Sequence, residues 1–455
     1  MCTYAFPLGG IMISRRSWLK KISSGVFTGG LARATWPQFR GPGSLGTVAD
    51  NPRLPVSWST TKNIIWKAAI PGKGWSSPVV WNEQIYLTSN IRPSGEGDTP
   101  AGFYEGGSFQ PIAEEAHQWM AYGINFTSGQ IEWETELHRG IPKVPRHRKN
   151  SYASETPVTD GDHIYVHFGD LATYCLDMTG KVVWSVPWEP VETRWGYGTA
   201  SSPVLHENQL YITNDNEGRS YTIAIDKQTG EEIWKVGRDE PTTWSTPFVW
   251  THAGRTEIIT AGRKKIRSYN PNGRLLWELS GMSSLSIPTP FASGGLLYVT
   301  SGYHGSQERP IYAIRPGASG DITLKSGETS NEYISWSVPQ GGPYHPSPVV
   351  YEGLYYTLLD RGFLTCHDAK TGKQVYGKQR IALGSGNFTS SPWAYRGHIF
   401  CLSEAGDCYV IEAGPNFKVV EKNSLGEMCM ATPAIADSNL LIRTYSNLYR
   451  LSSRL

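Results

Sequence analysis

Short hydrophobic runs alternate with turn residues along almost the whole chain. Representative runs are QLYITND (209–215), SYTIAID (220–226), HIFCLSE (398–404) and DCYVIEA (407–413). Runs of this length, rich in β-branched and aromatic residues and bounded by Gly, Asn and Asp, are typical of β-strands. The pattern therefore predicts an all-β protein built from many short strands.

Two further strings flank each pair of runs and recur along the chain. One is a turn followed by a strand that ends in an aromatic residue, as in AIDKQTGEEIW (224–234); the aromatic residues are Trp133, Trp184, Trp234, Trp277 and Tyr376, and Trp66 and Trp336 end similar strands. The other is a small or hydroxyl residue, a proline and an apolar residue; the prolines are Pro78, Pro157, Pro203, Pro247, Pro290, Pro348, Pro392 and Pro433. Four strands per unit and eight units predict an eight-bladed β-propeller.

The two ends of the chain predict how the ring closes. The strand that ends at Trp66 precedes the first proline string, whereas the C-terminal unit supplies only three strands. Pairing the N-terminal strand with the C-terminal blade would complete that blade and remove open sheet edges.

The first unit carries an insertion, residues 90–119, rich in Gly, Pro and acidic residues. It is typical of a long loop or lid rather than a domain. We expect Phe103, Tyr104 and Phe109 to be able to cap one face, and a disordered excursion is the alternative.

Composition and charge narrow the classes of partner. The formal net charge is +2 with 18% charged residues, which argues against a nucleic-acid binder. The absence of an apolar run of about 18 residues argues against a transmembrane helix.

Residues 1–34 resemble a twin-arginine export signal, with Met12 as an alternative start. The resemblance lies in SRRSWLKK (14–21), the mildly apolar stretch after it and ARA (32–34). A basic tail is the other interpretation; export predicts a periplasmic or secreted domain over residues 35–455.

The cysteine spacing favours neither a zinc ribbon nor a c-type haem. Cys401 and Cys408 flank a predicted hairpin turn, so they could form a disulfide in an oxidising compartment or remain buried thiols.

The loops that lead into the innermost strands, and those between the second and third strands, share one face of a propeller, which is the expected location of a pocket. Their candidate ligand-face residues are Arg146, Lys149, Asn150, Arg194, Asp215, Arg219, Arg238, Asp239, Arg263, Arg309, His345 and Arg361. Trp195, Tyr197, Trp244 and Tyr344 lie in the same loops. Convergent arginines could bind an anionic ligand. Alternatively, they pair with carboxylates and brace neighbouring blades.

AIDKQTGEEIW resembles the tryptophan-docking string of the PQQ-repeat, or quinoprotein-type, propellers. WPQFRGPGSLG (36–46) and CMATPAIADSNLLIRTYSNLYRL (429–451) resemble segments of an exported bacterial PQQ-like family related to BamB. The resemblance implies an eight-bladed fold and export. Because Thr35 follows Ala34 and no Cys-Cys pair occurs, it implies neither a lipid anchor nor the vicinal cysteines of PQQ alcohol dehydrogenases.

The sequence contains no GxSxG, HExxH, Walker A or EF-hand motif, and its histidines show no metal-ligand spacing. We therefore expect a monomeric, non-catalytic binding or scaffolding module without a metal site, whose partner is a periplasmic protein or an anionic small molecule. The alternative is a quinone-dependent oxidoreductase that uses PQQ with Ca²⁺.

Overall fold

The structure is a computed structural model that describes residues 35–95, 109–112 and 114–453. The predicted export signal, residues 1–34, lies outside the described residues, as do Phe103 and Tyr104 of the insertion. None of the helices in the described ranges is long and apolar enough to cross a membrane.

Eight four-stranded antiparallel blades form a ring, which confirms the predicted fold class. The strands, from the innermost outward, are Val79–Trp81, Gln84–Ile91, His117–Asn125 and Ile131–Gly140 in blade 1; Val158–Thr159, His163–Phe168, Ala172–Asp177 and Val182–Pro187 in blade 2; Val204–His206, Gln209–Asn214, Ser220–Asp226 and Glu232–Arg238 in blade 3; and Phe248–His252, Arg255–Ala261, Lys265–Tyr269 and Leu275–Ser280 in blade 4. They are Phe291–Ser293, Leu296–Thr300, Ile311–Ile314 and Ile334–Val338 in blade 5; Val349–Tyr351, Leu354–Leu359, Phe363–Asp368 and Gln374–Arg380 in blade 6; Trp393–Tyr395, His398–Leu402, Asp407–Glu412 and Val419–Ser424 in blade 7; and Ala434–Ala436, Asn439–Arg443, Asn447–Leu451 and Ile64–Ala69 in blade 8.

Four short strands and two 3-10 helices supplement the blades. Thr35–Trp36 pairs with the innermost strand of blade 1, and Gly320–Asp321 runs parallel to the outermost strand of blade 4. Phe109–Gln110 pairs with Arg146–His147, which ties the end of the insertion to the loop that leads into blade 2. The 3-10 helices are Pro42–Ser44 and Arg194–Gly196.

The proline of each unit lies directly before the first residue of its innermost strand. Proline has no N–H to donate, so this position costs no ladder hydrogen bond. The proline string therefore marks where each blade starts from the central channel.

The turn and the tryptophan of neighbouring units fit together. The indole of Trp184 in blade 2 packs so closely on Gly230 in the turn of blade 3 that a Cβ atom there would lie 2.9 Å from the ring. Trp184 Nε1 donates to Lys227 O at 3.1 Å, and Asp226 accepts two N–H bonds that hold the turn. Gly230 has φ +78°, which glycine adopts without a steric penalty.

The same arrangement recurs around the ring. The equivalent tryptophan–glycine pairs are Trp66 with Gly129, Trp133 with Gly180, Trp234 with Gly273 and Trp336 with Gly372. AIDKQTGEEIW is thus a docking unit whose turn receives the indole of the preceding blade and whose own tryptophan reaches the following one.

Blade 4 departs from the pattern. Trp277 is 1% exposed and donates to Glu257 Oε2 of its own blade at 2.7 Å. The longer fifth unit replaces the receiving turn, and its strand Gly320–Asp321 pairs with Trp277 and Glu278 instead.

The ring closes as predicted. Ile64–Ala69 pairs antiparallel with Asn447–Leu451, so that Trp66 lies opposite Arg450. Arg443 of blade 8 also donates to Ser76 O at 3.1 Å and Ser76 Oγ at 2.6 Å at the start of blade 1. Blade 8 is therefore completed by an N-terminal strand, and the Arg443 side chain joins blade 8 to blade 1.

The N-terminal segment, residues 35–47, fills one end of the central channel, and we call it the plug. Thr159 N donates to Pro37 O at 2.9 Å in blade 2, and Ala394 N donates to Gly46 O at 3.1 Å in blade 7. Trp36 of the plug is 1% exposed. Within the described residues, the channel is therefore open at the face where the innermost strands begin, which we call the upper face.

The hydrophobic core lies between consecutive blades as a series of clusters, the largest of which joins blades 1, 7 and 8. Cys408 is a buried free thiol in this cluster, and Cys401 is a buried free thiol in the neighbouring cluster between blades 6 and 7. Their side chains pack rather than cross-link the hairpin.

Candidate functional site

A cavity of about 250 Å³ occupies the upper half of the central channel. Phe39 of the plug reaches it from below, and residues from all eight blades line its wall. Because the plug closes the lower end, the cavity is blind.

A ring of Ser and Thr side chains surrounds the lower part of the cavity, and we call it the hydroxyl ring. Its members each precede the proline of their blade: Ser77, Thr156, Ser202, Thr246, Thr289, Ser347, Ser391 and Thr432. All are 1–6% exposed. The sequence signal was present in the repeat, since all eight residues before the prolines carry a hydroxyl, but no role was predicted for them.

The hydroxyl ring connects successive blades. Ser77 N donates to Thr156 Oγ1 at 2.9 Å, and Thr156 N donates to Ser202 Oγ at 2.9 Å. The same bond runs from Ser202 to Thr246, from Thr289 to Ser347, from Ser347 to Ser391 and from Ser391 to Thr432, at 2.9–3.1 Å. Each of these hydroxyls therefore satisfies a buried N–H of the preceding blade.

Six aromatic side chains line the mouth of the cavity, and we call them the aromatic collar: Trp75, Trp195, Tyr197, Trp244, Tyr303 and Tyr344. Ring centroids of Trp195 and Tyr197 lie 5.4 Å apart, and those of Tyr303 and Tyr344 lie 5.1 Å apart. Trp75 and Trp244 each donate the indole N–H to a backbone carbonyl at 2.7 Å. Their apolar faces are thus left for the cavity.

Trp195 is the most exposed member of the collar, at 39%. Its φ of +53° is unusual for a bulky residue, and the guanidinium of Arg194 stacks on its ring at 4.4 Å. Strained backbone of this kind is concentrated at functional sites. The 3-10 helix Arg194–Gly196 places this indole at the cavity mouth, 6.5 Å from Tyr303 across it.

Three of the twelve predicted residues line the cavity: Lys149, Asn150 and His345. Lys149 Nζ lies 2.5 Å from Glu404 Oε1 of blade 7, which is also bound by Thr389 Oγ1 at 2.7 Å. The loop that leads into blade 2 thus reaches across the channel to blade 7.

Burial lowers the pKa of two imidazoles at the cavity, those of His147 and His345. Burial lowers the pKa of His147 to about 4, assisted by the positive charges of Lys149, Lys73, Arg148 and Arg146. Burial also holds the pKa of His345 well below its ordinary value, with Lys149 and the neighbouring histidines contributing. This side of the mouth therefore carries positive potential.

The other predicted residues lie outside the cavity lining. Arg238 forms a fully buried bidentate pair with Asp215, at 2.7 and 3.0 Å, and also donates to Thr260 of blade 4 at 2.6 Å. Arg146 is 3% exposed and donates to Asn150 O at 2.8 Å. The contacts of Arg238 therefore brace neighbouring blades, whereas this bond of Arg146 holds its own loop.

The remaining predicted residues lie near the surface. Asp239 pairs with Lys264 and Arg267, and Arg309 donates to Gln340 Oε1 at 2.9 Å. Arg219 and Arg361 are exposed and Arg263 is partly exposed. Arg194 does not line the cavity wall, but its guanidinium stacks on the ring of Trp195 at the cavity mouth.

The cavity residues do not fit PQQ with Ca²⁺. Calcium takes six to eight oxygen ligands, among them carboxylates, yet the described cavity lining contains neither Asp nor Glu. In the described ranges, no group of three or more His, Cys, Asp and Glu side chains is placed to hold a metal ion. Among the described lining residues Lys149 is the single Lys or Arg, and Glu404 pairs with it.

The chain is similar to several known proteins. It is 22% identical over 274 residues to a polyvinylalcohol dehydrogenase from a Pseudomonas species, a match that covers 56% of this chain and 32% of the relative, so the chain spans about a third of that relative's length. BamB from Moraxella catarrhalis superposes with a TM-score of 0.52 at 12% identity, covering 80% of this chain and 99% of that one. A quinohemoprotein alcohol dehydrogenase from Comamonas testosteroni superposes with a TM-score of 0.60 at 12% identity, covering 94% and 82%.

Two overlapping matches to one family model, over residues 37–218 and 116–375, cover more than half of the chain. They agree with the repeated docking units and with the eight blades. The chain therefore belongs to the PQQ-like repeat β-propeller family that is described as outer membrane protein assembly factor BamB.

Proposed function

We propose that the protein is a non-catalytic binding module whose ligand enters the central cavity from the upper face. The observation that carries this proposal is the blind cavity itself. The chain fills the lower channel with its own plug and leaves the upper half lined by aromatic faces and hydroxyls. A concave, largely apolar site with a few convergent polar groups is the usual form of a small-molecule site.

The chemistry of the described lining supports binding rather than catalysis. The imidazoles of His147 and His345 have pKa values well below 7, and Lys149 is paired with Glu404. A general base needs a pKa close to the working pH, and a nucleophilic hydroxyl needs such a base beside it. The ring hydroxyls bind backbone N–H groups instead.

We also propose that the module works in the periplasm or is secreted, as a monomer exported by a twin-arginine signal. The small net charge of +2 and the likeness to BamB support a protein or small-molecule partner rather than a nucleic acid.

A quinone-dependent oxidoreductase is the second candidate, favoured by the likeness to dehydrogenases. The two candidates separate in one assay of the purified protein with PQQ and Ca²⁺ added. Dye-linked oxidation of an alcohol would establish the oxidoreductase; we expect neither turnover nor the absorbance of a bound quinone.

The binding function is tested by thermal unfolding against a library of ring-containing small molecules. A ligand that binds the native state raises its Tm, and we expect Trp195→Ala to remove the increase. Leu383→Ala is the matched control, because Leu383 is 91% exposed in the loop that leads into blade 7 but does not line the cavity. If no compound raises the Tm of the wild type, or if both variants respond as the wild type does, the cavity is not the ligand site.

A further inference from the structure

The blind end of the cavity is a ring of hydrogen-bond donors. Six hydroxyls of the ring accept an N–H bond from the preceding blade, so a lone pair is occupied and the hydroxyl proton is left to donate. Ser77 Oγ is buried and, within the described part of the chain, has no hydrogen-bond partner. The group that fits this end is one that presents acceptor oxygens.

Arg40 places a positive charge next to the hydroxyl ring. Its side chain is 1% exposed, and Arg40 Nη2 donates to Pro348 O at 2.6 Å, one residue after Ser347 of the ring. Gly46 locates the same nitrogen relative to blade 7. A Cβ atom built on Gly46 would lie 3.2 Å from Arg40 Nη2 and 3.4 Å from Pro392 O, and Pro392 directly follows Ser391 of the ring. The guanidinium is therefore close to the ring on the side of blades 6 and 7.

The charge of Arg40 is not neutralised within the described residues. Its recorded acceptors are the backbone carbonyls of Ser44, Leu45 and Pro348, and Arg40 Nη1 has no partner there. Burial lowers the pKa of Arg40 to about 9, and the guanidinium lies 5.6 Å from the ring centroid of Phe291. A buried, unpaired charge is costly, and an anion in the cavity above it would reduce that cost.

The upper half of the cavity suits a flat apolar group. Trp75, Trp195, Tyr197 and Trp244 line it, and the indole N–H groups of Trp75 and Trp244 are bound to backbone carbonyls. A dry cavity of about 150 Å³ can hold benzene. A cavity of about 250 Å³ therefore has room for one ring with a substituent.

We propose that the ligand is a single-ring carboxylate that enters carboxylate-first, with its oxygens on the hydroxyl ring beside Arg40 and its ring in the aromatic collar. This inference rests on the proposed binding function and adds the ligand class and its orientation. The hydroxyl protons bind the carboxylate directly, while Arg40 acts through its field. Charge-assisted hydrogen bonds of this type are stronger than neutral ones.

The experiment is calorimetric titration of the full chain at pH 7 with benzoate, benzyl alcohol and acetate. Benzoate has both the ring and the charge, benzyl alcohol only the ring, and acetate only the charge. We expect benzoate to bind about tenfold more tightly than benzyl alcohol, and acetate to bind most weakly.

Two kinds of variant separate charge from hydrogen bonding. Arg40→Gln should reduce the preference for benzoate over benzyl alcohol about tenfold, while the affinity for benzyl alcohol stays unchanged. Arg40→Lys keeps the positive charge and should retain most of that preference. Ser77→Ala should weaken benzoate about threefold to tenfold. Ser390→Ala is the matched control, since Ser390 is adjacent to the ring but does not line the cavity.

Equal affinities for benzoate and benzyl alcohol would overturn the proposal, as would unchanged benzoate affinity in Ser77→Ala and Thr289→Val. The latter two variants keep the test decisive if Arg40→Gln does not fold. If a neutral ring compound binds in a Trp195-dependent manner while carboxylates do not, this inference fails but the binding function stands. If nothing binds and PQQ supports turnover, both fail.

Discussion

Ser347 and Ser391 show how one side chain serves two purposes at the channel. Ser391 Oγ accepts the N–H of Ser347 at 2.9 Å, which joins blade 6 to blade 7, and the same hydroxyl lines the cavity. Ser77 occupies the equivalent position in blade 1, but its Oγ accepts no such bond within the described residues. Equivalent hydroxyls therefore differ in their contribution to stability.

That difference gives the first prediction. Ser391→Ala leaves the buried Ser347 N–H without an acceptor, so we expect the free energy of unfolding to fall by about 1–3 kcal/mol. Ser77→Ala removes a hydroxyl that has no hydrogen-bond partner among the described residues, and its effect should be smaller by about 1 kcal/mol or more. Urea unfolding of both variants measures the difference. Equal losses would show that the N–H to hydroxyl bonds do not stabilise the ring.

Glu155 provides a prediction on pH. It is buried at the start of blade 2 and accepts bonds from Thr199 Oγ1 at 2.6 Å and Gly169 N at 3.2 Å. Burial raises its pKa to about 7, with Thr199 lowering it and the charge of Asp170 raising it. A carboxyl whose folded pKa exceeds its unfolded value of about 4.3 contributes stability that is complete below that value. The contribution of Glu155 to stability falls as the pH rises from about 4.3 to about 7, and it does not change further above pH 7.

We therefore expect Glu155→Gln, which has no charge at any pH, to gain stability relative to the wild type as the pH rises from 4 to 7. The gain should be up to about 4 kcal/mol. Urea unfolding at a series of pH values measures it, and the subtraction removes the opposite slope of His147, whose pKa is lowered. Parallel profiles of the two proteins would contradict the assignment.

At the scale of elements, stability depends on how the outermost strand of one blade meets the turn of the next. Trp184 and Gly230 illustrate the contact, because the indole lies against the glycine and bonds Lys227 O. Trp184 is only partly buried, so its contribution comes from this contact rather than from full burial.

Gly230→Ala tests the contact against a matched glycine. Both Gly230 and Gly254 have positive φ, +78° and +76°, but only the Cβ of the former would meet an indole. Gly254→Ala should cost about 1–2 kcal/mol through backbone strain alone, whereas Gly230→Ala should cost about 1–3 kcal/mol more because it also displaces Trp184. Similar urea midpoints for the two variants would mean that the indole moves without cost.

The sequence was a good guide at this scale wherever the periodicity was intact. The prolines and the docking strings locate all eight innermost strands and most of the tryptophan contacts. Trp277 was not predictable as an exception, because its string is intact and only the partner turn, in the fifth unit, is replaced.

The candidate site was predicted less well, for a physical reason. Of the predicted residues, Lys149, Asn150 and His345 line the cavity. Arg238 was expected in a comparable loop but is the last residue of the outermost strand of blade 3, and Asp215, 23 positions earlier, forms a buried pair with it at 2.7 Å. Whether an arginine in a loop is open to a ligand depends on such distant carboxylates, which the local pattern does not reveal.

At the scale of the whole molecule, the plug turns a ring with a channel into a ring with a cavity. WPQFRGPGSLG has no counterpart among the repeats, so its position inside the channel could not be predicted. The plug needs glycine at position 41 to fold against its own tryptophan, since a Cβ atom on Gly41 would lie 2.5 Å from the Trp36 ring.

Removal of residues 35–47 from the full chain gives the prediction at this scale. Ala394 N and Thr159 N lose their acceptors, Gly46 O and Pro37 O, and the cavity loses Phe39. We expect faster hydrogen exchange in the innermost strands of blades 2 and 7, a lower Tm and loss of ligand binding. Outermost-strand peptides serve as the internal control. Unchanged protection of Ala394 and Thr159 would show that the plug adds nothing to the ring.

The closure of the ring also has a consequence for biosynthesis. The strand Ile64–Ala69 leaves the ribosome before any blade is complete, yet its partner is Asn447–Leu451, the third strand of the last blade. The strand Ile64–Ala69 must therefore wait for its partner until Asn447–Leu451 has been translated. A nascent chain stalled before Asn447 would leave Ile64–Ala69 as a lone edge strand, so the ring cannot close until that C-terminal strand has been made.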